Sequence, residues 1–224
     1  MTFRYSYLMS PPLRDLLLQD RDRGHVHVMS AFARIEGDAP RASMGILWHI
    51  DRHRSILTVQ SDAPPAHPGL LGDLQRVHEV AIPSAGDELE IKVLLACQKT
   101  PPSQVPRALR AQLKARTDGE QPGTPHAPGQ GRAYRSRSVT VPEEERAAWL
   151  SHVFDRHGLW VEEKTLEVSS LRHANLGKHG RGIPAVEVTT RAIVERAPEF
   201  THALQHGVGK GRTYGLGLLR TRAL

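Results

Sequence analysis

Apolar and polar positions alternate from the first residues: Thr2-Phe3-Arg4-Tyr5-Ser6-Tyr7-Leu8-Met9 has the period of a half-buried strand, and Pro11 and Pro12 end it. Residues 13–24 read as a turn or short helix, and residues 25–35 then carry apolar side chains at helical spacing. Two short apolar runs, 46–50 and 55–60, are joined by Asp51-Arg52-His53-Arg54 and read as a hairpin. Leu70, Leu71, Leu74 and Val77 fall on one stripe of a helix expected over 68–80. Residues 88–95 form another strand. The order strand, helix, strand, strand, helix, strand is that of a ferredoxin-like unit.

Composition changes after Lys99. Residues 117–131 (TDGEQPGTPHAPGQG) are dominated by Gly, Pro and polar side chains, as in a linker or surface loop. An arginine-rich strand is expected over 132–141. Pro142 followed by Glu143, Glu144 and Glu145 marks a helix start, and that helix carries Leu150, Val153 and Phe154 up to a stop at Gly158. Strands at 161–171 and 185–194, a short helix at 198–205 and a last strand at 214–222 repeat the same element order. The fold expected is α+β, a tandem of ferredoxin-like (βαββαβ) domains at 1–99 and 132–224, separated by a linker at 100–131.

Lys and Arg number 30 against 24 acidic residues, most of the cations being Arg, which matches phosphate geometry better than Lys. This balance points to an anionic partner, nucleic acid first. The single Cys97 excludes an internal disulfide and a cysteine metal cage. There is no apolar run of membrane-spanning length and no signal-peptide pattern at the N-terminus, so a cytoplasmic protein with no membrane partner is expected.

The densest signal is His206-Gly207-Val208-Gly209-Lys210-Gly211-Arg212-Thr213-Tyr214-Gly215-Leu216-Gly217, near the end. Glycines at 207, 209, 211, 215 and 217 mark unusual dihedrals or close backbone approach. With Lys210, Arg212 and Tyr214 among them, they form a surface suited to a polyanionic backbone. The bland alternative is a solvated turn before a closing strand. A Walker loop would need Ser or Thr after Lys210, and a Rossmann fingerprint would need a strand before it, so a nucleotide cofactor is not expected. A second basic element, 170–182, reads as a hairpin carrying Arg172, Lys178 and Arg181. Arg132, Arg135 and Arg137 add a third, and their convergence favours structured RNA held through phosphates.

For chemistry, His25 shares a helical face with Val28, Met29 and Phe32, whereas His27 points elsewhere. A histidine on an apolar face is commonly a core residue, but one bordering a cleft beside Arg21-Asp22-Arg23 suits proton transfer near a phosphate. The thirteen histidines form no HExxH or similar cluster, so neither a metal nor another cofactor is expected.

These residues carry a resemblance. The closing GVGKGRTYGLGLL is similar to the C-terminal glycine-rich signature of the CRISPR repeat-processing endoribonucleases. HVHVMSAF from His25, with the following GDAPRASMGILWHIDR, resembles the subtype I-E branch, the CasE (Cse3-like) family. The resemblance implies a double ferredoxin-like protein that binds the stem-loop of a CRISPR repeat, cuts at the stem base without metal, and stays with the product as a subunit of Cascade. It places His25 on the family's catalytic histidine. Where the family often has a tyrosine three residues earlier, this sequence has Asp22, and Arg23 or a cation of the glycine loop is expected to stand in as the second group. Arg132, Arg135 and Arg137 fall on the strand used against RNA, and residues 172–181 on the groove-inserting hairpin. A catalytically inactive RNA-binding subunit is the alternative.

Overall fold

A computed structural model of the chain describes residues 1–33, 44–100, 138–177 and 182–224. The first sheet is built from β1 (Phe3–Leu8), β2 (Leu47–Asp51), β3 (Ile56–Ser61) and β4 (Asp73–Glu79). Its order is β2-β3-β1-β4 with every pair antiparallel, which is the ferredoxin-like order. Two helices, α1 (Pro11–Gln19) and α2 (Arg21–Ser30), follow β1 and cover one face. Tyr5, Tyr7, Trp48, Ile50, Leu57 and Val59 bury against Leu17 and Val28 from those helices, forming the first core.

Two expectations for this half are corrected. The helix foreseen over 68–80 is a 3-10 turn, Pro68–Leu70, followed by edge strand β4. Gly72 sits at φ +114°, and an added Cβ would lie 2.3 Å from the Leu8 carbonyl oxygen. That close approach lays the chain against β1, pairing Val77 with Tyr5. Leu74 and Val77 are exposed, so their helical spacing marks no buried stripe. The helix expected to open at His25 begins instead at Arg21, because the Asp20 carboxylate accepts the Arg23 amide hydrogen (3.0 Å) and caps the first turn. His25 therefore lies in the second turn of α2, and the end expected at residue 35 lies outside the described residues.

β5 (Glu88–Ala96), expected to close the first sheet, is a central strand of the second. Two-residue strands β6 (Gln98–Lys99) and β7 (Val139–Thr140) follow it, then α3 (Arg146–Asp155), β8 (Leu159–Trp160), β9 (Glu167–Val168), β10 (Arg172–Asn175), β11 (Gly182–Val194), α4 (Ala197–His206) and β12 (Arg220–Ala223). The sheet order is β10-β11-β5-β12, with β8 and β9 also pairing β11. The long β5–β11 ladder runs from Glu88↔Ile193 to Ala96↔Ala185. Leu89, Ile91, Val93 and Leu95 on β5 share one buried face with Val186 and Val188, and pack on Leu150 and Phe154 of α3 and Phe200 and Leu204 of α4. The second ferredoxin-like repeat thus opens with β5, and the sheets part between β4 and β5, ahead of the division expected at residue 99. Of the single strand foreseen over 161–171 only β9 forms, after a 3-10 turn at Glu163–Thr165, while β8 lies just ahead of it. The final strand is only β12, since residues 212–214 form a 3-10 turn.

Residues 1–97 and 141–224 make one compact unit and residues 98–140 another. Within the latter, β6 pairs antiparallel with β7. Residues 101–131 of the expected linker, with Arg132, Arg135 and Arg137, lie outside the described residues, as do Lys178 and Arg181.

In the larger unit, the first sheet turns its helix-free face toward the C-terminal half. Arg4 on β1 donates from Nε to Gln60 Oε1 (2.9 Å) and from Nη2 to the Leu219 carbonyl, while Gln60 Nε2 donates to the Leu204 carbonyl (2.7 Å). Both side chains are buried. The Gln60 side chain and backbone carbonyls accept their hydrogen bonds, so these buried polar groups fix the docking of one half on the other.

Candidate active site and nucleic-acid interface

The glycine-rich segment is a tight, specifically docked turn. Gly207, Gly209, Gly211, Gly215 and Gly217 all have φ between +73° and +78°. At Gly217 an added Cβ would fall 2.2 Å from the Val208 carbonyl oxygen, and at Gly215 it would meet the Trp48 ring at 2.7 Å. The reading of these glycines as donors to an anion is corrected in part. The Gly207 amide donates to Ala203, Gly215 to Arg212 and Gly217 to Leu94, so those three amides close the turn upon the protein. Arg212 Nη1 likewise donates to the His206 carbonyl (3.0 Å), and Lys210 is exposed.

What the segment does instead is dock on α2. Arg21 Nη1 donates to the Tyr214 carbonyl (2.7 Å), and Trp48 Nε1 to the Thr213 carbonyl (3.0 Å). The Arg21 guanidinium lies 5.6 Å from the centre of the Trp48 ring, in cation–π range. Burial, then the charge of Asp22 and a hydrogen bond to it, push the Tyr214 phenol above its usual value. Arg21 and Asp22 precede His25 by four and three residues, so all three share one side of α2. The C-terminal turn is thereby held one helical turn from His25, joining residues almost 190 positions apart in sequence.

His25 is half-buried and borders an open groove with Asp22, Arg23, Val26 and His27. Val28 on α2 and Phe32 just beyond its end are both buried, and His27 is directed to the Leu70 carbonyl through Nε2 (2.8 Å). Arg23 is exposed at the groove. Arg172 is not beside His25: it lies on β10, in register with Ala185, and borders a cavity between the two sheets. Cys97 is buried just beyond β5, and its Sγ faces the Val141 carbonyl oxygen at 3.8 Å. Burial raises its thiol, which rules it out as a ready nucleophile. Sequence reasoning missed Arg21, Trp48 and Tyr214 as a docking set; the only local signal was a Gly-flanked aromatic.

Among the described residues no group of three or more His, Cys, Asp or Glu side chains could hold a metal ion, and no helix is long and apolar enough to cross a membrane.

The architecture is a double ferredoxin-like chain whose C-terminal glycine turn is locked onto a histidine-bearing helix. The chain belongs to the CRISPR-associated protein family, whose model matches residues 9–222. In fold it is similar to Thermus thermophilus Cse3 bound to an RNA representing a pre-cleavage complex, at 18% identity and a TM-score of 0.69, covering 99% of this chain and 98% of that one. It is also similar to the CRISPR endoribonuclease Cse3 bound to a 19-nucleotide RNA, at 17% identity and a TM-score of 0.70, with the same coverage. Cas6e from Escherichia coli K-12 matches at 15% identity and a TM-score of 0.64 over the whole of both chains. No protein with a curated description matches the sequence.

Proposed function

We propose that the protein is a metal-independent endoribonuclease that binds the stem-loop of CRISPR repeat RNA, cleaves at the stem base, and remains with the mature RNA as a Cascade subunit. The observation that carries this reading is the position of His25, at an open groove and one helical turn from the docked glycine segment. Family membership and the fold shared with Cse3 and Cas6e support it.

The reaction is transesterification. The ribose 2′-hydroxyl at the scissile nucleotide attacks the adjacent phosphorus, and the P–O5′ bond breaks to leave a 2′,3′-cyclic phosphate and a free 5′-hydroxyl. The protein needs to supply in-line geometry, proton transfer and positive charge against the phosphorane. His25 is the acid or base, and Arg23, exposed at the same groove, faces the developing charge. Where the resembled family often has a tyrosine three residues before the histidine this chain has Asp22, but Tyr214 brings a phenol to that carboxylate from the other end of the chain. A phenol raised above its ordinary value suits a proton donor more than a base. Arg132, Arg135, Arg137, Arg172, Lys178, Arg181, Lys210 and Arg212 are the cations assigned to the RNA backbone.

Asp22 also motivates the second reading, an RNA-binding subunit without catalysis. Incubating the protein with a repeat hairpin in EDTA, followed by a denaturing gel, separates the two. The enzyme gives a single cut bearing a cyclic phosphate, and no cut when the scissile nucleotide is 2′-deoxy. Tight binding with intact RNA would establish the inactive subunit, and cleavage of the 2′-deoxy analogue would refute the nucleophile.

A further inference from the structure

A partly open cavity of about 180 Å³ lies between the two sheets, away from His25. On β2, Trp48 and Ile50 belong to the core beneath α2, so His49 between them points to the opposite face. There it is 4% exposed and borders the cavity with Lys92 of β5, Arg220 of β12 and Arg172 of β10. Arg21 and Arg52 complete five cations; Asp51 and Glu187 also line the cavity, and Lys92 Nζ lies 3.7 Å from Glu90 Oε1. Glu187 is already engaged, accepting from Arg220 Nη2 at 2.9 Å.

Two of the cations have unused donors. Arg21, 5% exposed, spends Nη1 on the Tyr214 carbonyl, but its buried Nε has no hydrogen-bond partner among the described residues. Buried Arg220 Nε is in the same condition. Buried polar groups are nearly always satisfied, and those that are not call for an ion, a water or a functional explanation. A neutral imidazole, two guanidinium edges and an ammonium converging on one small space are the donor set for a tetrahedral oxyanion. The space is small, about 180 Å³, and of a size for a single phosphate group.

We propose that this inter-sheet cavity is a phosphate-binding site, formed by Arg21, His49, Lys92 and Arg220, separate from the His25 groove. The phosphate is either free in solution or a phosphodiester of bound RNA. The site shares Arg21 with the docked glycine turn and borders Arg172, but His25 is not among its lining residues, so the two readings are tested separately.

The test is calorimetric titration of the full chain with inorganic phosphate in a phosphate-free buffer, repeated with His49→Phe, which fills the cavity, with Lys92→Gln, whose exposed side chain is dispensable for folding, and with His25→Ala. One saturable site is expected in the parent and in His25→Ala, with affinity reduced at least about tenfold in Lys92→Gln by loss of a charge-assisted contact. Absence of phosphate binding by the parent would overturn the proposal. So would binding that survives both cavity variants and disappears with His25→Ala, because it would put the anion in the groove. Competition distinguishes the sources: phosphate that weakens binding of an uncleavable 2′-deoxy repeat hairpin in the parent, but not in Lys92→Gln, identifies an RNA phosphodiester as the occupant. Phosphate and hairpin bound together identify a free ion. Hairpin cleavage is scored separately, so a failed phosphate site leaves the nuclease reading standing, and the reverse.

Discussion

His25 owes its position to its neighbours on one helix. Val28 is buried one turn along α2 from it, while Arg21 and Asp22 hold the Tyr214 turn beside it. Removing the imidazole alone should spare the packing, because the ring is only half-buried. His25→Ala is therefore expected to slow hairpin cleavage by about 10²–10⁴-fold, the usual worth of general acid–base catalysis, with the RNA dissociation constant unchanged. Single-turnover cleavage beside a filter-binding isotherm checks this, and near-normal cleavage would remove His25 from the mechanism. The candidate was legible in the sequence because its offsets to Val28, Met29 and Phe32 are local. Tyr214 as its companion was not, since nothing along the chain relates residue 214 to residue 22.

At the scale of elements, caps and glycine turns decide where the site sits. Asp20 starts α2 four residues ahead of the helix foreseen from the apolar pattern, through one side-chain hydrogen bond to the Arg23 amide. Asp20→Ala should lower stability by about 0.5–2 kcal/mol, the range for losing an N-cap, read as a lower urea midpoint with unchanged slope. Gly217 makes the opposite end of the assembly possible. With φ +78° and the Val208 carbonyl 2.2 Å from any Cβ, Gly217→Ala combines backbone strain with a clash. A loss of at least about 1–3 kcal/mol is expected, together with slower cleavage as the 212–214 turn leaves α2. A variant with wild-type melting would show that the turn can relax. The glycine cluster itself was visible in the sequence, but its purpose was misread in part: the amides of Gly207, Gly215 and Gly217 serve the turn, not a ligand. β4 was missed for a related reason. An exposed edge strand buries little, so Leu74 and Val77 follow no strand pattern that burial would impose.

Over the whole molecule, two cores share a polar seam. Arg4 and Gln60 reach across it to carbonyls, and burial, followed by the charge of Arg220, lowers Arg4 to about 10. His49 lies in the same seam. Burial, then Arg220 and Arg21, hold it well below its ordinary 6.5, so it is neutral in the fold. The unfolded chain takes up that proton as the pH falls through about 6.5, and then binds more protons than the folded one. Stability is therefore present above that pH and is lost below it, at up to about 1.4 kcal/mol per pH unit for each such group. His78 and His157 are lowered too, by burial first, and act in the same direction. The melting temperature should fall between pH 7 and pH 5, and His49→Phe should flatten part of that fall; a level profile in the parent would contradict the burial of these rings.

Local pattern by itself determined the α+β class, the recurrence of one element order, the basic character and the histidine worth testing, because strand period, helix period and glycine conformation are set by residues close in sequence. Only the tertiary structure decided that residues 88–96 open the second sheet instead of closing the first, that the glycine turn docks on Arg21 and Trp48, and that His49 faces Arg220 and Lys92 across a cavity. Those are pairings between distant segments, fixed by which faces can be buried together, and no short-range periodicity encodes the partner.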